Sequence, residues 1–168
     1  QMEESVADLT QVIRLSPGDV FAYFDRGNVN HEMGRLPEAV ADFTEVIRLD
    51  PEMSEVFFNR GNAYADMGRY EQAIADYDSA IRITPNFSEA YYGRGSVYAA
   101  TGEFDAAVRE YDQVISLDSD DPDGYANRAV VLINMGVVDR AIGDLDDAIV
   151  LDPANPFYYA NRAIAKTL

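Results

Sequence analysis

Five arginines stand 34 residues apart: Arg26, Arg60, Arg94, Arg128 and Arg162. Five acids keep the same step: Asp8, Asp42, Asp76, Glu110 and Asp144. A guanidinium facing a carboxylate forms a bidentate, charge-assisted pair. Joining each acid to the arginine 18 residues further on uses all ten groups, from Asp8–Arg26 to Asp144–Arg162. Joining them inside one 34-residue unit leaves Asp8 and Arg162 alone. The expectation is therefore a partly buried ion-pair ladder between units. It would serve register more than stability, because desolvation offsets much of the attraction. Other chemistry finds little support. There is no cysteine, which excludes disulfides, thiol catalysis and thiolate metal sites. His31 is the only histidine, so no imidazole cluster exists for a metal and no ordinary general base is at hand. The run 118–124, DSDDPDG, carries carboxylates near calcium-loop spacing, but Pro122 occupies a ligand position. Helix-capping acids are the better reading there. No enzyme, cofactor or metal is expected.

The elements that must position these groups follow from the same period. Gly61 maps onto Gly27, Gly95 and Ala129; Gly68 onto Gly34, Gly102 and Gly136; Ala73 onto Ala39, Ala107 and Ala141. A period of this size marks one supersecondary unit that stacks on its neighbours. Full units run 20–53, 54–87, 88–121 and 122–155. Residues 1–19 match the second half of a unit and 156–168 the first half, so 1–168 reads as a single array. Each unit reads as two helices of roughly 12–14 residues. In the second unit Phe57, Gly61 and Tyr64 lie on one face, and Ala73, Tyr77, Ala80 and Ile81 on another. Gly68 ends the first helix in a left-handed conformation. Leu49–Pro51, Ile83–Pro85 and Leu151–Pro153 close the second, since proline lacks the donor and clashes in a helix interior. Pro122 and Pro156 suit first turns, with Asp121 and Asn155 as N-caps. Gly61 and Ala73 lie on facing helices of one unit, so the backbones are expected to approach closely, with flanking aromatics packing large into small.

Charge narrows the partners. The net charge is −17, from 30 acids against 13 bases. No basic stripe is available to displace counterions from a nucleic acid. No apolar run approaches the ~18 residues a membrane span needs, and no signal segment opens the chain. The opening Gln1-Met2 suggests a cut or processed end. Absence of cysteine fits a cytoplasmic protein. An acidic surface attracts basic partners.

Phe57, Gly61, Tyr64, Ala73, Tyr77, Ala80 and Pro85, repeated in the third unit by Tyr91, Gly95, Tyr98, Ala107 and Tyr111, resemble the tetratricopeptide repeat. Departures are Asn30 for a tyrosine, Val114 for a small residue, Ser119 for a proline, and Leu132 and Leu145 for aromatics. The resemblance implies an all-α fold, a right-handed α-superhelix (solenoid) of antiparallel helix pairs. It implies that first helices line a concave groove holding an extended peptide or partner segment. The groove positions carried over are Phe21, Phe24, Asn28, His31 and Glu32, then Glu55, Phe58, Asn62, Ala65 and Asp66. Next come Glu89, Tyr92, Ser96, Ala99 and Ala100, then Asp123, Ala126, Val130, Ile133 and Asn134.

Among these, Phe24, Phe58 and Tyr92 form an aromatic row beside Asn28 and Asn62. Rings supply contact area, and amides pair with a peptide backbone. Beyond Tyr92 the groove turns small and aliphatic. The family's cationic clamp for acidic tails is absent: Phe24 and Phe58 stand where one lysine belongs, and Glu55, Glu89 or Asp123 where the other does. The expected contacts are Phe24, Asn28, Glu55, Phe58, Asn62, Asp66, Glu89, Tyr92, Ser96 and Asp123, which suit a ligand carrying Lys, Arg or apolar groups. The expected function is a protein-interaction scaffold. A second expectation concerns the ends. Met2, Val6, Leu9 and Ile13 form an apolar stripe without a first helix, and 156–168 is a first helix without its second. Copies of the chain are expected to stack head to tail.

Overall fold

Each first helix stops at a glycine because the chain must there turn left-handed. Gly34, Gly68, Gly102 and Gly136 have φ of +72°, +70°, +83° and +74°. The turn satisfies carbonyls that the helix leaves open: Arg35 N donates to Asn30 O at 2.8 Å and Gly34 N to His31 O at 2.9 Å. The same bonds recur after Gly68 and Gly136. A computed structural model describes residues 1–168, with ten α-helices and no strand. These are α1 (Met2–Leu15), α2 (Val20–Glu32), α3 (Leu36–Leu49), α4 (Ser54–Asp66), α5 (Tyr70–Ile83), α6 (Ser88–Thr101), α7 (Phe104–Leu117), α8 (Pro122–Asn134), α9 (Val138–Leu151) and α10 (Pro156–Ala165). The first helices begin at Val20, Ser54, Ser88, Pro122 and Pro156, keeping the 34-residue step. Asp121 and Asn155 cap as expected, accepting from Asp123 N and Phe157 N at 3.0 Å. Asp19 does the same for α2, accepting from Ala22 N at 3.0 Å. Pro51, Pro85 and Pro153 lie just past the ends of α3, α5 and α9.

The chain divides into two compact units, Gln1–Ala90 and Tyr91–Leu168. In the first, α2 packs on α3 and α4 on α5, around Ala39, Phe43, Val46, Val56, Phe57 and Ala80. In the second, Ala107, Tyr111 and Val131 form one cluster, and Ala126, Ala129, Leu132, Ala141, Leu145, Ala148 and Tyr158 another. Short turns make consecutive helices antiparallel neighbours.

The small residues receive rings from the facing helix, as expected of large-into-small packing. Gly61 faces the Tyr77 ring: a Cβ on Gly61 would stand 2.8 Å from a ring carbon. A Cβ on Gly27 would stand 2.6 Å from the Phe43 ring, and one on Gly95 would stand 3.0 Å from Glu110 Cβ and 3.3 Å from the Tyr111 ring. A flat ring laid on a helix needs a floor without side chains, and glycine provides it. In the last complete pair the ring is replaced by Leu145 and the glycine by Ala129, both fully buried.

Candidate functional site

The arginine ladder is present but differently wired. Arg26 Nε and Nη2 donate to Asp42 at 3.0 and 2.6 Å. Arg60 grips Asp76 at 2.7 Å through both nitrogens. Arg128 grips Asp144 at 2.8 and 2.7 Å, and Arg94 holds Glu110 through one oxygen. These pairs lie 16 residues apart inside one helix pair, which corrects the between-unit pairing expected from counting. A link to the preceding second helix exists as well, through a position that a count of the acids does not mark. Arg26 Nη1 donates to Thr10 Oγ1 at 3.0 Å, Arg60 Nη1 to Thr44 Oγ1 at 3.0 Å, Arg128 Nη1 to Asp112 at 2.6 Å and Arg162 Nη1 to Asp146 at 2.5 Å. The signal for it is a second 34-residue series, two positions past the acids. Each guanidinium also lies over the ring three residues before it, at 5.4–5.9 Å from its centre. Hydrogen bonds donated to the carboxylates of Asp42 and Asp144 raise Arg26 and Arg128 above the ordinary guanidinium range, although burial opposes the shift. At Arg60 burial is the largest single influence and pulls down, yet Asp76 still brings the net change upward. The arginines are structural clips.

The first-helix face of the first unit carries a cleft of about 260 Å³ lined by Asn28, His31, Glu32, Phe43, Asn59 and Asn62. Its wall is a set of amides held in place by hydrogen bonds. Asn59 Nδ2 donates to Asn28 Oδ1 at 2.9 Å, and Tyr77 Oη donates to Asn62 Oδ1 at 2.7 Å. At the rim, His31 Nε2 lies 2.9 Å from Asp66 Oδ2. Phe24 and Phe58 are half-buried, with rings 6.1 Å from Phe43 and Tyr77; Phe58 also meets Phe87 at 5.2 Å. The predicted aromatic row thus doubles as a lid on the core rings beneath it. Glu55 and Glu89 are exposed. Two residues outside the ten predicted contacts matter here. Asn59 completes the amide wall, and Phe21 is 70% exposed. Phe21, Asn28 and Glu32 share one face of α2 by helical spacing.

In the second unit the Tyr92 ring meets Tyr111 edge-on at 5.7 Å, and its oxygen accepts from Asn127 Nδ2 at 2.8 Å. Ser96 Oγ lies 3.2 Å from Tyr111 Oη. Asp123 Oδ1 accepts from Tyr158 Oη at 2.9 Å, so this acid is engaged within the unit. The small, aliphatic groove expected beyond Tyr92 is corrected at Ala126, which is buried in the same cluster as Tyr158. A ring stands at Phe24, Phe58 and Tyr92. Where Ala126 breaks that series, Tyr158 supplies a ring from the following helix. Asn161 follows Asn127 by one period, but Ala126 stands where Asn127 finds the Tyr92 hydroxyl, and the Asn161 Nδ2 is buried without a partner.

Burial, reinforced by the bond to Asp123, pushes the Tyr158 phenol up to about 12. Burial raises Tyr77, Tyr92 and Tyr111 too. A raised folded value favours the neutral phenol in the fold. That stabilisation is complete below the unfolded tyrosine value of about 10 and is lost as pH climbs through the folded value. Stability should therefore hold to about pH 10 and fall above it, with helix signal and phenolate absorbance changing together. Full phenolate formation with the helices intact would contradict this.

The sequence matches the TPR repeat family at residues 27–68, 61–102 and 95–136. The chain belongs to the tetratricopeptide-repeat family, whose members in general serve as protein-interaction scaffolds; no catalytic family is indicated. No curated protein matches the sequence. The fold is similar to the crystal structure of MamA, with 22% identity, TM-score 0.86, and 90% of this chain and 89% of that one covered. It is similar to the thermophilic TPR protein TTC0263 of Thermus thermophilus, with 21% identity, TM-score 0.78, and 99% and 91% covered. A tetratricopeptide repeat protein from Parabacteroides merdae shows 20% identity and TM-score 0.88, with 99% of this chain and 66% of that one covered. No helix is long and apolar enough to cross a membrane.

Proposed function

We propose that the chain is a scaffold holding an extended segment of a protein partner on its first-helix face, the segment carrying basic and apolar residues. The observation that supports this most is the stripe on α2. There Phe21, 70% exposed, leads along one face to the amide-walled cleft. An exposed ring is an anchor, fixed amides satisfy a peptide backbone, and Glu32, Glu55 and Asp66 place negative charge around them. Of the ten predicted contacts, Glu55 and Glu89 are exposed without a role in packing, whereas Phe24, Phe58 and Tyr92 pack tilted or edge-on against core rings. Phe21→Ala is therefore the clean test. A peptide selected from a random display library against this chain is expected to bind it about tenfold less tightly after the change, roughly 1.4 kcal/mol by calorimetry, with an unchanged melting temperature. Phe58→Ala with Tyr92→Ala should lower both binding and stability. Added salt should weaken binding. An unchanged affinity in Phe21→Ala would remove the stripe from the site.

A second reading is self-association head to tail. It is favoured by apolar groups open on the outer helices: Met2 and Val12 on α1 are 47% and 40% exposed, and Phe157 and Ile164 on α10 are 54% and 52% exposed.

A further inference from the structure

His31 is the only histidine, so the chain has a single imidazole. It stands in the last turn of α2 and lines the amide-walled cleft. Its Nε2 lies 2.9 Å from Asp66 Oδ2, at the end of α4. The contact bridges two successive first helices, and the Asp66 side chain is the more open of the two. The other charged groups at this end of the helices do not answer Asp66. Arg35 is held by Glu3 of α1, and Arg69 lies over the Tyr64 ring and bonds Gln72. Arg26 and Arg60 are held by Asp42 of α3 and Asp76 of α5. Glu32, beside His31 on α2, and Glu38, in the first turn of α3, are exposed acids. The group that meets Asp66 is the imidazole, which is a cation only when protonated.

Resting on the scaffold reading, we infer that Asp66 is the seat for a lysine or arginine of the bound segment, and that His31 is a built-in competitor for that seat. A neutral imidazole gives Asp66 an ordinary hydrogen bond, which a ligand ammonium or guanidinium replaces with a stronger, charge-assisted one. An imidazolium already makes the charge-assisted bond and sets a second positive charge beside the incoming one. Imidazole changes its charge between about pH 5 and 8. Ordinary carboxylates stay ionised above about pH 5.5, so the general attraction of the acidic surface is constant across this window. The segment is held at the upper end of the window and released at the lower end.

The test takes the peptide selected for the Phe21 comparison, free of histidine and resynthesised with an acetylated N-terminus. Its affinity is measured by calorimetry at about pH 5.5 and about pH 7.5, on either side of imidazole titration. Wild type should bind about three- to fivefold more tightly at the higher pH, the size of one exposed ion pair. His31→Gln should bind equally at both, with the strength of wild type at the higher pH. His31→Lys, charged throughout, should bind weakly at both. Asp66→Asn should weaken binding and flatten the profile, and so should norleucine in place of the peptide's lysines and arginines. Melting temperatures equal to wild type show that the variants fold. A pH profile that survives in His31→Gln, or a flat one in wild type, while Phe21→Ala still weakens binding, overturns the competition and leaves the scaffold standing. An affinity indifferent to Phe21→Ala, Asp66→Asn and norleucine alike overturns the scaffold reading itself.

Discussion

Asp42→Ala is expected to lower stability by about 3–5 kcal/mol. The carboxylate is 5% exposed and accepts from Arg26 at 3.0 and 2.6 Å and from Asn30 Nδ2 at 3.1 Å. Removing it leaves a largely buried guanidinium with only Thr10 and an amide donor with no acceptor. The cost comes from the stranded charge rather than from the worth of the pair. Asp42→Leu combined with Arg26→Met should therefore recover most of the loss, because both charges leave together. Urea denaturation of the two variants decides it. Equal losses in the single and double variants would show that the pair itself carries the stability. Asp76 offers a second trial, being equally buried and held by Arg60 at 2.7 Å.

Tyr77→Ala should cost about 3–5 kcal/mol, since a fully packed ring is deleted and the cavity collapses only in part. The more informative variant is Gly61→Ala. Its methyl would stand 2.8 Å from the Tyr77 ring, so overpacking of about 1–3 kcal/mol is expected despite the better helix propensity of alanine. Pairing Gly61→Ala with Tyr77→Leu converts this site to the combination found at Ala129 and Leu145. The double variant should be more stable than Tyr77→Leu alone, a non-additive gain of at least about 1 kcal/mol. The hydrogen bond from Tyr77 to Asn62 is lost in both, so it cancels in the comparison. Additive effects would mean that the ring does not rest on the glycine.

The helical repeat was legible in the sequence because its rules are local. A glycine that must turn left-handed, a proline that cannot continue a helix and an acid that caps the next one act within a few residues. Gly68, Pro85 and Asp121 announce helix ends wherever the chain is folded. The candidate face was legible in part. Spacing on α2 and α4 brings Asn28 and Asn62 to one cleft, and the family resemblance pointed to that face. Phe21 was among the groove positions the resemblance carried over, but its 70% exposure and the bond from Asn59 to Asn28 were not readable from spacing, because both depend on what the neighbouring helices bring against these side chains.

The sequence by itself determined the period, the helix pairs, the family and the acidic surface. Tertiary structure alone decided which carboxylate each arginine takes. The guanidinium has two faces. Nε and Nη2 reach the second helix of the same pair 16 residues ahead, as Arg26 reaches Asp42, and Nη1 reaches the preceding second helix 16 residues back, at Thr10. Counting charges could not separate these, because a hydroxyl can hold a guanidinium proton and carries no charge to count. The structure also decided that Ala126 is covered, since the ring that buries it comes from α10 and the series along its own helix position ends at Tyr92. Local rules write the helices; side-chain reach between helices writes the contacts.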